Sequence, residues 1–154
     1  LSNHQSKTFR FLAQIIDLAL RRPLETRPNF SNTASVVDYL YWKTAHLKRE
    51  HLSALFLTRG LHLICCETIS IGSIASVDIC NRAIIRRALE VEAGAIILTH
   101  NHPSGQPLAS PQDLRATHRL EQLCTEFEII LVDHIIIAES GHVSLVDRGH
   151  LRNI

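Results

Sequence analysis

Two imidazoles and a carboxylate stand close together in the middle of this chain: His100 and His102, then Asp113. They follow a purely apolar run, Ala95-Ile96-Ile97-Leu98, which predicts a buried strand. In an extended strand residues i and i+2 leave on the same face, so both histidines point to one side of the sheet. Pro103 and Gly105 then break the strand. Ser110 followed by Pro111 predicts a helix N-cap with proline in the first turn. Asp113 falls on that turn, where it can face back towards the strand end. Two imidazoles and one carboxylate converging in this way form a three-ligand metal set. Catalytic zinc commonly takes three protein ligands and leaves its fourth place to water. Singly, the pieces have plainer readings: Ser110 and Asp113 suit a capping box, and histidines beside a turn suit solvent. Their joint position at a strand end points to a metal.

A further carboxylate, Glu67, interrupts the apolar run formed by Leu63, Ile64, Cys65, Cys66 and Ile69. It lies either on a solvated strand face or in a place that serves a purpose. Burial would raise its pKa, and a raised carboxylate pKa is what a general base near neutral pH needs.

The elements that must position these groups are legible around them. Phe9, Leu12, Ile16 and Leu20 recur at helical spacing over 8–21, ended by Pro23. Residues 23–31 read as a linker. Thr33 or Ser35 caps a second helix reaching about Glu50, with Val37, Leu40, Tyr41 and Leu47 on its buried side. Runs over 53–58 and 61–69 around Arg59-Gly60 predict a hairpin. Ser76 or Asp78 caps a helix over 79–93, with Gly94 expected in the left-handed conformation just past its end. A helix over 111–126, a strand over 128–138 interrupted at Asp133-His134, and a short strand over 142–146 complete the chain. Asp133 and His134 are either partners that orient a ligand histidine or a strand irregularity. The predicted architecture is α/β: one mixed central sheet flanked by helices.

Composition bounds the function. The chain has 154 residues, 45% hydrophobic and 20% charged, which is the make-up of one ordinary globular domain. A net charge of +1 gives no global attraction for nucleic acid. Cys65, Cys66, Cys80 and Cys124 form no C-x-x-C pair, which predicts a reduced, cytoplasmic protein. No apolar run approaches the roughly 20 residues of a membrane span. The chain begins at Leu1 and contains no methionine, so it is expected to be part of a longer protein.

His100-x-His102, seven residues, Ser110, two residues and Asp113 resemble the H-x-H-x7-S-x2-D pattern of JAMM (MPN-type) metalloproteases. More narrowly, His100-Asn101-His102-Pro103-Ser104-Gly105 with Pro107, Ser110 and Asp113 is similar to the bacterial RadC family. Glu67-x4-Gly72-Ser73, Arg87-Ala88-Leu89-Glu90, Asp133-His134, Ser144 and Arg148-Gly149 also resemble it. The likeness covers residues 31–154; residues 1–30 fall outside it, as an N-terminal helix and linker. Two stretches depart from it. Ile79-Cys80-Asn81-Arg82-Ala83 replaces a His-Pro-Arg-Glu-like run, and Ala109 replaces a proline.

The resemblance implies a JAMM/MPN-type fold, with the layered architecture also found in cytidine deaminases. It implies one Zn2+ per chain on His100, His102 and Asp113. Glu67 would take a proton from the zinc-held water and pass it to the leaving amine, and Ser110 would hydrogen-bond the oxyanion. The implied reaction is hydrolysis of a peptide or isopeptide bond in a peptide or protein substrate. The alternative within the family is a DNA-repair-associated or scaffold module without peptidase activity. Deaminase chemistry itself wants H-x-E and P-C-x-x-C; His102 stands where the glutamate would be, and no C-x-x-C exists.

Overall fold

The structure is a computed structural model. It describes residues 14–17, 33–44, 46–72 and 77–152. Residues 14–17 are helical; the rest of the expected first helix and the linker over 23–31 lie outside the described residues. So do the side chains of the expected caps Thr33, Ser35, Ser76 and Asp78.

The elements are α1 (Thr33–Thr44), β1 (His51–Leu57), β2 (Leu63–Ile71), α2 (Val77–Glu90), β3 (Ala95–His102), α3 (Pro111–Glu126), β4 (Ile130–Ala138) and β5 (Gly141–Ser144). The five strands form one sheet in the order β2-β1-β3-β4-β5. Neighbours pair antiparallel except β3 and β4, which run parallel. A parallel pair needs a crossover, and α3 provides it. The predicted mixed sheet flanked by helices is therefore the fold observed.

Two cores form on the two faces of the sheet. On one, Leu52, Ala54, Phe56, Ile96, Leu98 and Ile136 pack with Ile84 and Ala88 of α2 and Leu120 and Cys124 of α3. On the other, Leu55, Leu57, Ala95, Ile97, Ile135 and Ile137 pack with Val36, Tyr39 and Leu40 of α1. β3 thus lies mid-sheet between helical layers, which is why its sequence is apolar on both faces. All its residues are buried except His102, which is half-buried. The alternation sends Ile96, Leu98, His100 and His102 to the face of α2 and α3.

Three local expectations change. α1 stops at Thr44, well before Glu50, where Thr44 Oγ1 donates back to the Leu40 carbonyl at 2.8 Å. Its buried side is Val36, Tyr39 and Leu40; Tyr41 turns outward and donates to the Glu139 carbonyl. Gly94 does not take the left-handed turn after α2. Glu92 does, at φ 54°. Gly94 is needed for space instead: a Cβ there would lie 2.8 Å from the Arg59 backbone nitrogen. Asp133 and His134 do not interrupt β4. The ladder slips one residue earlier, between Ile96/Ile97 and Leu131/Asp133, and β4 continues through both.

Candidate metal centre

The site forms where β3 ends and α3 begins. His100 is buried and His102 half-buried, with their Nε2 atoms 2.8 Å apart. Asp113 comes from the first turn of α3, its Oδ1 3.5 Å from His100 Nε2 and its Oδ2 3.8 Å from His102 Nε2. A fourth group joins them. Glu50, half-buried just ahead of β1, contributes a carboxylate oxygen, and the four ligand atoms all lie within 4.8 Å of one another. This buried His/His/Asp/Glu group could hold a metal ion.

The surroundings orient each donor. His102 Nδ1 faces the Gln106 carbonyl at 3.1 Å. A carbonyl only accepts, so Nδ1 carries the proton and Nε2 turns a lone pair to the site. His100 Nδ1 faces His134 Nε2 at 2.7 Å, leaving its own Nε2 towards the site. Two imidazole nitrogens and two carboxylates at this spacing repel one another unless a cation lies among them, so the donor set fits a metal. Burial holds His100 neutral, with its pKa pushed down to about 4 despite the nearby Asp113. A neutral imidazole is the ligating form.

Ser110 forms a complete capping box with Asp113. The Asp113 N–H donates to Ser110 Oγ at 3.1 Å, and Ser110 N–H donates to Asp113 Oδ2 at 2.7 Å. Ser110 Oγ also donates to Oδ2, at 2.7 Å. The helix start therefore fixes the carboxylate, and the hydroxyl proton is directed at Asp113.

Glu67 is elsewhere. It sits on β2, the edge strand, and both its oxygens accept from Arg87 of α2, at 2.7–3.0 Å. The Arg87 guanidinium draws the Glu67 pKa down, not up. It is absent from the His/His/Asp group; the second carboxylate that stands beside that group is Glu50. The physical reason is topological. β1 pairs with β3 antiparallel, Leu52 opposite His100, which brings the residue two before Leu52 alongside the end of β3. The pairing β1–β2 sets Glu67 opposite Ala54, further down the sheet and one strand further out.

Asn101, between the two histidines, points to the opposite face and is buried. Its amide donates to the Leu47 and Arg49 carbonyls at 3.3 and 3.0 Å, and its oxygen accepts from the His51 N–H at 2.8 Å. It thereby ties the segment carrying Glu50 to the strand carrying the histidines. Glu50 has no ion pair with Lys or Arg among the described residues. Burial and the neighbouring Asp113 raise its pKa, partly opposed by His102. An open cavity of about 590 Å³ adjoins the group, lined by Tyr41, His46, Lys48, His102, Pro103 and Glu139 among others.

A mixed sheet between helical layers, with this ligand group at a strand end, defines a JAB/MPN-like domain. The family profile of the RadC-like JAB domain matches residues 30–150, and the chain belongs to the RadC family. It is 38% identical over 144 residues to a UPF0758 protein of Bordetella pertussis, covering 91% of this chain and 64% of that one. It is 40% identical over 121 residues to a UPF0758 protein of Stenotrophomonas maltophilia, covering 79% and 52%. The chain thus spans between 52% and 64% of the length of these curated relatives. Among the described residues, no helix is long and apolar enough to cross a membrane.

Proposed function

We propose that residues 31–154 act as a zinc-dependent hydrolase of peptide or isopeptide bonds, with Glu50 as proton acceptor. One observation carries this reading: a half-buried carboxylate with a raised pKa stands beside a buried His/His/Asp group next to a cavity. His100, His102 and Asp113 would hold the ion, one per chain; two imidazoles and a carboxylate suit zinc. When bound, the ion lowers the pKa of its water to near 7 and polarises a carbonyl.

The protein's own groups supply the rest. Glu50, with no Lys or Arg ion pair among the described residues to hold its charge, is placed to accept a proton and return it to a leaving amine. Ser110 holds Asp113 through its N–H and its hydroxyl together. Its hydroxyl reaches a substrate oxygen only by leaving Asp113 Oδ2, and the N–H then keeps that carboxylate in place. The substrate lies in the cavity past His102, where Lys48 and Tyr41 line the wall.

The test is metal content by elemental analysis, for the wild type and a His100→Ala/His102→Ala variant, followed by a peptide and isopeptide panel. About one zinc per chain, lost in the variant, with hydrolysis lost in Glu50→Gln, is the expected result. Absence of zinc after loading and dialysis overturns the reading.

A further inference from the structure

Beyond the four clustered groups, a buried polar chain on this face runs through His134 of β4 and Thr117 of α3. Thr117 Oγ1 lies 2.6 Å from the Asp113 backbone oxygen and 2.6 Å from His134 Nδ1. His134 Nε2 lies 2.7 Å from His100 Nδ1. The proton positions along this chain follow from counting. A backbone carbonyl has no proton to give, so the single hydroxyl proton of Thr117 goes to Asp113 O. The contact with His134 then closes only if Nδ1 donates to Thr117. His134 is buried and among the described residues has no carboxylate bonded to it to balance a charge, because Asp133 is taken up by Ser144 and the N–H groups of His134 and Val146. It is therefore neutral, and its Nε2 is bare. That nitrogen must accept from His100, so His100 carries its proton on Nδ1.

We infer that His134 is a positioning residue which, held by Thr117, fixes His100 as the Nδ1–H tautomer and turns its Nε2 lone pair to the metal position. This rests on the metal reading above. The chain starts and ends on ligands: His100 at one end, the backbone of Asp113 at the other. One hydroxyl in α3 thereby sets the donor atom on β3.

Replacing Thr117 breaks the count at its origin. In Thr117→Val, of the same shape, the Nδ1–H of His134 would face a methyl group. His134 then does better with its proton on Nε2, donating to His100, and His100 shifts its own proton to Nε2. That nitrogen now donates to His102 Nε2, 2.8 Å away, and an entering ion has to displace the proton. Thr117→Ser keeps the hydroxyl and serves as the rescue.

The experiment records long-range 15N–1H spectra of the histidine rings in metal-free protein, well above the ordinary histidine pKa, together with Zn2+ affinity by chelator competition. The expected result is an Nδ1–H His100 in the wild type and in Thr117→Ser. Thr117→Val is expected to show an Nε2–H His100 and Zn2+ binding weaker by about 10–100-fold, with its backbone spectrum otherwise preserved. A Thr117→Val protein with an unchanged His100 tautomer and unchanged Zn2+ affinity overturns the inference and leaves the metal site standing. A wild type that binds no Zn2+ overturns the metal reading instead, and the ring spectra still decide the tautomer.

Discussion

Glu50 and Glu67 lie on the same side of one sheet and have opposite chemistry. Glu67 is on the edge strand, where Arg87 grips both its oxygens and pulls its pKa down. Glu50 is by the end of the central strand, where burial and Asp113 push its pKa up. A carboxylate already neutralised by a bidentate guanidinium has little to gain from a proton. One placed beside another carboxylate without such a partner does. The partners, rather than residue type or proximity to an apolar run, decide which glutamate is fit to move protons.

The comparison breaks most visibly in activity. Glu50→Gln is expected to lower kcat/KM by about 10²–10⁴-fold with zinc retained, the range for loss of a positioned general base. Glu67→Gln should stay close to the wild type under the same assay. The reverse pattern would return the role to the edge strand.

Acidity separates the two regions next. Burial holds His100 and His134 below the ordinary histidine value, so in metal-free protein they stay neutral while the unfolded chain takes up protons. The stability they contribute is complete above pH 6.5 and falls as pH drops towards 4. For His100 alone the loss over that window is on the order of 2–3 kcal/mol. Glu50, whose pKa is raised, opposes this in part by binding a proton earlier in the folded state. Urea unfolding of the metal-free protein at a series of pH values checks the slope, and a flat profile contradicts it.

Asn101→Ala should then cost about 2 kcal/mol, since it strands the His51 N–H and frees two carbonyls. It should also lower activity by loosening the segment that bears Glu50, while every ligand side chain is intact. Chemical denaturation and the hydrolysis assay measure the two effects. Arg87→Ala is the mildest change. It returns Glu67 to its ordinary acidity and removes only the small stability gain that the pair provides above the glutamate range and loses as pH falls through the lowered pKa. A midpoint shift in thermal unfolding as large as that of Asn101→Ala would mean that the edge pair anchors β2 more firmly than its exposure allows.

Much of this molecule is legible in its sequence, and the illegible parts share a cause. α3 could be placed at 111–126 because Ser110, Pro111 and Asp113 make a local start signal. β3 announces itself by a run apolar on both faces. His100, His102 and Asp113 could be grouped because strand and helix follow each other directly. Glu50 was missed because its neighbours come from a pairing of β1 with β3 across some forty residues of chain. No pattern within either strand reports that pairing. The only local sign was a charged residue directly before an apolar strand, which is commonplace. Thr117 was obscured likewise: a threonine inside a helix gains meaning only when α3 lies over β4. Asp133-His134 left two readings open in the sequence, and the structure sets His134 against His100 while Asp133 turns to Ser144. Gly94 illustrates a different failure. Its position after a helix suggested a turn conformation, whereas its cause is the backbone of Arg59 arriving from another element.

The alternation at the end of β3 makes the site a matter of parity. His100 and His102 face α2 and α3 while Asn101 faces α1, and each set makes bonds the other could not. Deleting one residue between Ala95 and Thr99 would exchange the sets, presenting an amide to the ligand group and both imidazoles to the segment before β1. Inserted or deleted residues in this strand should therefore be tolerated only in pairs, if at all. The loop over 103–109 is under no such parity rule; what a change there has to keep is the Gln106 carbonyl against His102 and the Gly105 carbonyl that accepts from Ser140.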